Sequence, residues 1–117
     1  MRAALARALV TRPGLLLLDE PFAALDEITR LKLNDDLLAL WRRDGFTVLF
    51  VTHSVFESVY LSSRIAVMGA RPGRIIGGME IDLPPERDLI IRTGEAYGAQ
   101  CRAVSALLEK AMAPGAV

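Results

Sequence analysis

Leu15-Leu16-Leu17-Leu18-Asp19-Glu20-Pro21 is the stretch on which the fold turns. Periodicity cannot separate a buried strand from a buried helix over four apolar residues. The short length, with Pro13-Gly14 on one side and Pro21 on the other, favours a strand. Its uninterrupted apolar character suits a parallel strand covered on both faces. Two carboxylates then stand where that strand ends.

Working outward, residues 1–11 are rich in Ala, Leu and Arg and predict a helix already under way at Met1, with no cap before it. From Asp26 to about Arg43 the pattern is helical. Leu33, Leu37, Leu40 and Trp41 fall on one stripe, Asp26 is placed to cap the start, and Asp44-Gly45 ends it. Thr47-Val48-Leu49-Phe50-Val51 is β-branched and apolar, a second buried strand. Ser54, with Glu57 three residues on, opens a short helix in the manner of a capping box. Ile65-Ala66-Val67-Met68 is a third strand, and Arg71-Pro72-Gly73 turns into an extended Arg74–Leu83 that returns as a hairpin. Pro84-Pro85 breaks the chain, Glu95 to about Met112 forms a closing helix, and the end beyond Pro114-Gly115 frays. Strand, helix, strand, helix, strand implies an α/β arrangement with a parallel sheet.

The composition agrees with one domain-sized unit. The chain has 117 residues, 52% hydrophobic and 24% charged. That apolar content excludes a disordered chain. Fourteen basic residues offset fourteen acidic ones, so the basic footprint of a nucleic-acid binder is absent. The single cysteine and single histidine allow neither an internal disulfide nor a zinc cluster, and a reducing compartment fits. Neither a signal peptide nor a membrane-spanning run is expected.

Two parallel strands joined by one helix need a right-handed crossover, which puts their carboxyl ends on one edge. Asp19 and Glu20 follow the first strand; Thr52 and His53 follow the second. Ligands bind at that edge of an open parallel sheet, so the acids and the imidazole are expected to share a rim. A carboxylate pair there suits a metal–phosphate site: one oxygen ligand for Mg²⁺, a second carboxylate to orient and polarise water, and a histidine to donate to a phosphate oxygen. Each piece also has a plainer reading. Asp-Glu-Pro serves as a solvated turn, a lone histidine as a satisfied structural residue, and Asp26 as a helix cap.

The literal string from Leu15 to Asp26 strongly resembles the Walker B segment and D-loop of ABC-type ATPases. Ala6-Arg7-Ala8-Leu9 is similar to the helix after their signature motif, and Val51-Thr52-His53 resembles their switch-histidine loop, continued by Glu57, Leu61 and Arg64-Ile65. Arg71-Pro72-Gly73-Arg74-Ile75 and the stretch Glu80–Pro85 resemble the nitrate, sulfonate and taurine importer branch. The likeness covers residues 1 to about 90. It implies a partial P-loop NTPase fold: a parallel sheet flanked by helices, residues 1–92 forming the carboxyl-terminal part of a nucleotide-binding domain, and residues 93–117 a helical extension.

The resemblance also implies roles. Asp19 would support Mg²⁺, Glu20 would be the general base or water-orienting residue, His53 would contact the γ-phosphate of ATP, and Ala24, Leu25 and Asp26 would lie across a dimer interface. The implied partners are a second ATPase subunit, transmembrane permease subunits and, indirectly, an extracytoplasmic solute-binding protein, at the cytoplasmic face of a bacterial inner membrane. Two departures stand out. Ser54 occupies the place where the family has an acid after the switch histidine, a change that a helix cap tolerates. No G-x-x-x-x-G-K-[ST] phosphate loop occurs in the sequence; Gly77-Gly78 is followed by Met79 and Glu80.

Without the cradle of backbone N–H groups and its lysine, most nucleotide affinity is lost and a carboxylate pair repels a polyanion. The chain is therefore expected to be inactive alone, with open sheet edges and an exposed apolar face. Three readings follow: a carboxyl-terminal fragment of an importer ATPase; a shortened, non-catalytic paralogue that pairs with a complete subunit; or half of a DNA-repair ATPase. Neutral charge and the importer-like stretch count against the last.

Overall fold

The computed structural model describes residues 14–70 and 73–112. The helix expected over residues 1–11, the Arg71-Pro72 turn and the end beyond Pro114 lie outside the described residues. The chain divides into two compact units, Met1–His53 and Ser54–Val117.

In the first unit, strand β1 (Leu15–Asp19) pairs in parallel with β2 (Thr47–Val51), in register from Leu15 opposite Thr47 to Asp19 opposite Val51. Helix α1 (Glu27–Asp44) is the crossover. Its start is set by Asp26, whose carboxylate accepts from the Thr29 N–H at 3.0 Å and the Thr29 hydroxyl at 2.7 Å. Its end is set by Gly45, at φ 68°, which donates its N–H to the Trp41 carbonyl. That left-handed conformation costs a residue with a Cβ about 1–2 kcal/mol, which glycine avoids.

The buried stripe of α1 is Leu33, Asn34, Leu37 and Leu38. This corrects the expected stripe: Leu40 is half-buried and Trp41 is 37% exposed. The two stripes share Leu33 and Leu37, and hydrophobicity alone favoured the side bearing the tryptophan. The helix is instead turned toward residues 34 and 38, leaving Trp41, which tolerates a wet edge, at the margin.

Strand residues alternate between faces. On the inner face Leu16 is buried, as are Phe22 and Phe46 from the adjoining loops. On the other face Leu15, Leu17, Leu49 and Val51 are 59, 64, 58 and 44% exposed. An exposed apolar face was expected, and these four side chains form one.

The second unit holds α2 (Val55–Leu61), β3 (Arg64–Ala70), β4 (Gly73–Glu80), a short α3 (Leu89–Arg92) and α4 (Glu95–Met112). β3 and β4 form the expected hairpin, antiparallel, with a bulge between Val67 and Met68. Gly78 is required there, because a Cβ would come 2.8 Å from the Ile65 carbonyl oxygen. The expected third strand of a parallel sheet is corrected accordingly. Among the described residues β3 pairs with its immediate neighbour β4, a local partner that costs little loop-closure entropy. What the described chain forms is α/β with two small two-stranded sheets.

Helix α4 packs on α2 and β3 through Tyr97, Cys101 and Val104, spaced i, i+4, i+7. The Tyr60 and Tyr97 rings meet edge to face, with centroids 6.4 Å apart. The Arg92 guanidinium lies 3.9 Å from the Tyr60 ring centroid. The Tyr97 hydroxyl donates to the Phe56 carbonyl at 2.7 Å and the Tyr60 hydroxyl to the Arg87 carbonyl at 2.9 Å. Arg87 closes the end of α2, its Nη1 donating to the carbonyls of Tyr60 and Ser62 at 2.8 Å each and of Val59 at 3.3 Å. A cation on the last carbonyls of a helix also meets the negative end of its dipole. Burial holds the Arg87 guanidinium below its ordinary pKa, leaving it charged.

Candidate functional site

The site lies in the first unit, where β1 and β2 end side by side. The ladder continues one residue past β1, the Glu20 N–H donating to the Val51 carbonyl at 2.8 Å. Glu20 then leaves the strand at φ 47°, the one described non-glycine residue with positive φ. Such a conformation is uncommon for a residue with a side chain and holds only where neighbours determine it. It breaks the alternation of the strand and sends residue 20 out of the sheet plane's regular order.

Beyond it, residues 21–25 form a tight turn. The Ala23 N–H donates to the Glu20 carbonyl at 3.3 Å and the Leu25 N–H to the Phe22 carbonyl at 3.1 Å. Phe22 is 1% exposed and tilts against Phe50 of β2, with centroids 5.9 Å apart. The loop is thus pinned at its middle by an aromatic side chain and at both ends by strand and helix.

The structure brings Glu20 and His53 together: His53 Nε2 lies 2.8 Å from Glu20 Oε1, with the imidazole 89% and the carboxylate 38% exposed. A carboxylate only accepts, so Nε2 carries the hydrogen and Nδ1 is turned away from this bond. Asp19, opposite Val51, is exposed and, among the described residues, unpaired. The structure joins Asp19 to Glu20 through the backbone and to His53 only by sharing the strand edge. Ala24 and Asp26 are exposed and Leu25 half-buried. The two Thr29 hydrogen bonds, first that from its hydroxyl, hold the Asp26 carboxyl below its ordinary value. Ser54, the residue that departs from the family pattern, caps α2, its hydroxyl accepting from the Glu57 N–H at 3.2 Å.

Among the described residues no three His, Cys, Asp or Glu side chains converge as a protein-only metal cage. The donor set fits magnesium nonetheless. Mg²⁺ keeps several waters and takes one or two carboxylates together with phosphate oxygens, so one exposed, uncommitted Asp19 is a sufficient protein ligand.

One residue here escaped the reading of the sequence. Arg30, in the first turn of α1, donates from Nε and Nη2 to the Phe22 carbonyl at 3.2 and 3.1 Å and from Nη2 to the Ala23 carbonyl at 3.0 Å. The one signal that could have exposed it is its place, since a cation in the first turn of a helix faces the positive end of the dipole.

No protein-family model matches the chain. Among curated proteins it is 49% identical, over 98 residues covering 84% of its length and 38% of theirs, to a Brucella abortus protein named for ATP binding. It is 53% identical over 87 residues to the aliphatic sulfonates import ATP-binding protein SsuB 1 of Xanthomonas axonopodis pv. citri, covering 74% of this chain and 34% of that one. To an ABC transporter ATP-binding protein of Methanocaldococcus jannaschii it is 54% identical over 87 residues, covering 74% and 33%. The chain therefore spans between about a third and two-fifths of the length of these relatives. At about half identity over most of its own length, it belongs with the ATP-binding proteins of ABC transporters, SsuB import proteins among them.

Proposed function

We propose that this chain is the carboxyl-terminal part of the nucleotide-binding motor of an ABC importer for small anions such as nitrate, sulfonate or taurine. In this reading residues 1–92 contribute the Walker B, D-loop and switch-histidine portion of a partial P-loop NTPase fold, and residues 93–117 are its helical extension. The observation that carries the reading is the Glu20–His53 contact of 2.8 Å at the carboxyl ends of two parallel strands. The kinship with import ATP-binding proteins supports the substrate class.

Glu20 acts as the water-orienting carboxylate. Its left-handed backbone projects the carboxylate from the strand end, and its bond to His53 Nε2 holds one oxygen while the other stays available to accept a proton from water. His53, largely exposed on its loop, is placed to shift that same N–H from the carboxylate to a phosphate oxygen when nucleotide arrives. Asp19 and phosphate oxygens would hold Mg²⁺, which neutralises phosphate charge when bound. Ala24, Leu25 and Asp26 face a second ATPase subunit. The wider assembly comprises permease subunits and an extracytoplasmic binding protein, on the cytoplasmic face of the membrane. Among the described residues no helix is long and apolar enough to cross a membrane.

The chain lacks the phosphate-loop sequence, so the 117 residues alone show no measurable Mg·ATP hydrolysis. A chain extended at its amino terminus by the phosphate-loop half hydrolyses ATP. In that protein Glu20→Gln and His53→Ala each lower turnover by about 10²-fold or more, the scale of a positioned acid–base group. Full activity in both variants defeats the site assignment. The same absence of a phosphate loop favours one other reading, a non-catalytic module that pairs with a complete ATPase subunit. A stable complex with such a subunit that gains no turnover from Glu20 would select it.

A further inference from the structure

A contact as exposed as Glu20–His53 contributes about 0–1 kcal/mol and cannot impose its own geometry. The backbone beneath Glu20 has to be held by something else, and it is held in a conformation that it does not prefer. Residues 21–25 follow directly. Two groups grip them: the buried Phe22 ring, and Arg30, whose guanidinium takes three hydrogen bonds to the successive carbonyls of Phe22 and Ala23. The Ala23 N–H in turn holds the Glu20 carbonyl.

Arg30 also donates its own backbone N–H to the carbonyl of the helix cap, Asp26, at 2.9 Å. One residue thereby fastens the strand-end loop to the first turn of α1 through both main chain and side chain. It does so in the position least favourable for a cation, and the exchange is sensible only if the carbonyls it satisfies must stay where they are. Guanidinium suits this task, because its planar fork reaches two adjacent carbonyls at once, where an ammonium is a single point.

We propose that Arg30 is a positioning residue for the Glu20–His53 pair, acting through the carbonyls of Phe22 and Ala23. The proposal rests on the functional reading above only for its consequence in turnover; its geometric content is independent of that reading.

His53 is the only histidine, so its imidazole ¹⁵N resonances report the contact without ambiguity. In the 117-residue chain, Arg30→Met is expected to move those resonances to the positions they take in Glu20→Gln. It also speeds amide exchange at Ala23 and Leu25 by about tenfold or more, through the loss of the three guanidinium hydrogen bonds, while α1 stays protected. Arg30→Lys, which keeps the charge and loses the fork, gives an intermediate displacement. His53 resonances that stay at their original positions in Arg30→Met, with α1 protected, overturn the proposal and leave Phe22 as the sole anchor. Should Arg30→Met unfold α1, the lysine variant decides: a folded Arg30→Lys with unmoved His53 resonances overturns it equally. In the extended, hydrolysing protein, Arg30→Met lowers kcat about tenfold at unchanged KM for ATP, since the residue touches the loop and not the nucleotide. An equal loss carried by KM counts against positioning. Full activity of Glu20→Gln in that assay strikes the functional reading and leaves the resonance result standing.

Discussion

The two units of the chain hold themselves together differently. In the second, the aromatic pair Tyr60–Tyr97, both hydroxyls and the Arg87 guanidinium bind α2, the 84–87 segment and α4 to one another across 25 to 41 residues of sequence. In the first, two strands and one helix enclose Leu16, Phe22, Leu33 and Leu37, and leave Leu15, Leu17, Leu49 and Val51 bare. The second unit satisfies its long-range contacts internally. The first carries the candidate site at the carboxyl edge of its two described strands. Burial of four large aliphatic side chains is worth about 1.5–3 kcal/mol each, and the first unit forgoes much of it. The second unit also leaves Phe56, Met68, Ile75, Leu89 and Ile90 exposed, so its long-range bonding, rather than completeness of cover, sets it apart.

The sharpest way to break this contrast is at Tyr60, 1% exposed and bonded through its hydroxyl to Arg87. Tyr60→Ala removes a buried ring and orphans a carbonyl, and is expected to cost about 3–5 kcal/mol. Denaturant unfolding followed by exchange at α4 amides measures it. A loss below about 1 kcal/mol would mean that the second unit is no better knit than the first. Arg87→Met is next. It keeps the stem and leaves helix-end carbonyls without their donor, for about 1–3 kcal/mol. Exchange at Ser62 and Leu61, which should accelerate before α4 does, checks it.

The first unit answers to the opposite test. Leu17 is 64% exposed, so Leu17→Thr changes the stability of the chain by less than about 0.5 kcal/mol. In the extended protein the same substitution costs about 1–3 kcal/mol if the added half covers that face. Equal effects in both would show the face to be bare in the larger protein too.

Much of this architecture was legible in the sequence, and the part that was not shares one physical cause. The bounds of β2 and α4, the Asp26 and Ser54 caps and the Gly45 stop are local: each depends on residues within four positions, and spacing records them. Asp19, Glu20 and the imidazole after β2 share one edge because a parallel crossover puts both strand ends there, a topological rule that is also readable. Arg30 and Arg87 were missed because they bond to carbonyls, which every residue has, so no partner residue type marks them. The helix Leu89–Arg92 was missed although Asp88 caps it, its side chain accepting from the Ile91 N–H at 3.1 Å. Four residues carry no periodicity to read. The stripe on α1 was misplaced because Trp41 outweighs Asn34 in hydrophobicity, while the helix buries Asn34 and Leu38 instead.

The smallest effect is a pH dependence at the start of α1. The Asp26 carboxyl is held below its ordinary value of 3.8 by its bonds from Thr29, and it is fully exposed. A depressed folded-state pKa means that the cap stabilises α1 above the ordinary value, and that this contribution fades as pH falls through the folded one. The first unit should therefore loosen at the start of α1 below about pH 4, seen as faster exchange at Thr29 and Arg30 amides. The second unit's long-range anchors are instead a guanidinium and two tyrosine hydroxyls, and burial raises the Tyr97 hydroxyl further still. Asp26→Asn keeps a competent cap and removes the charge, so the acid loosening should vanish with little change at neutral pH. If the loosening persists in that variant, its source is another carboxylate, and Asp26 is a cap without a proton-linked role.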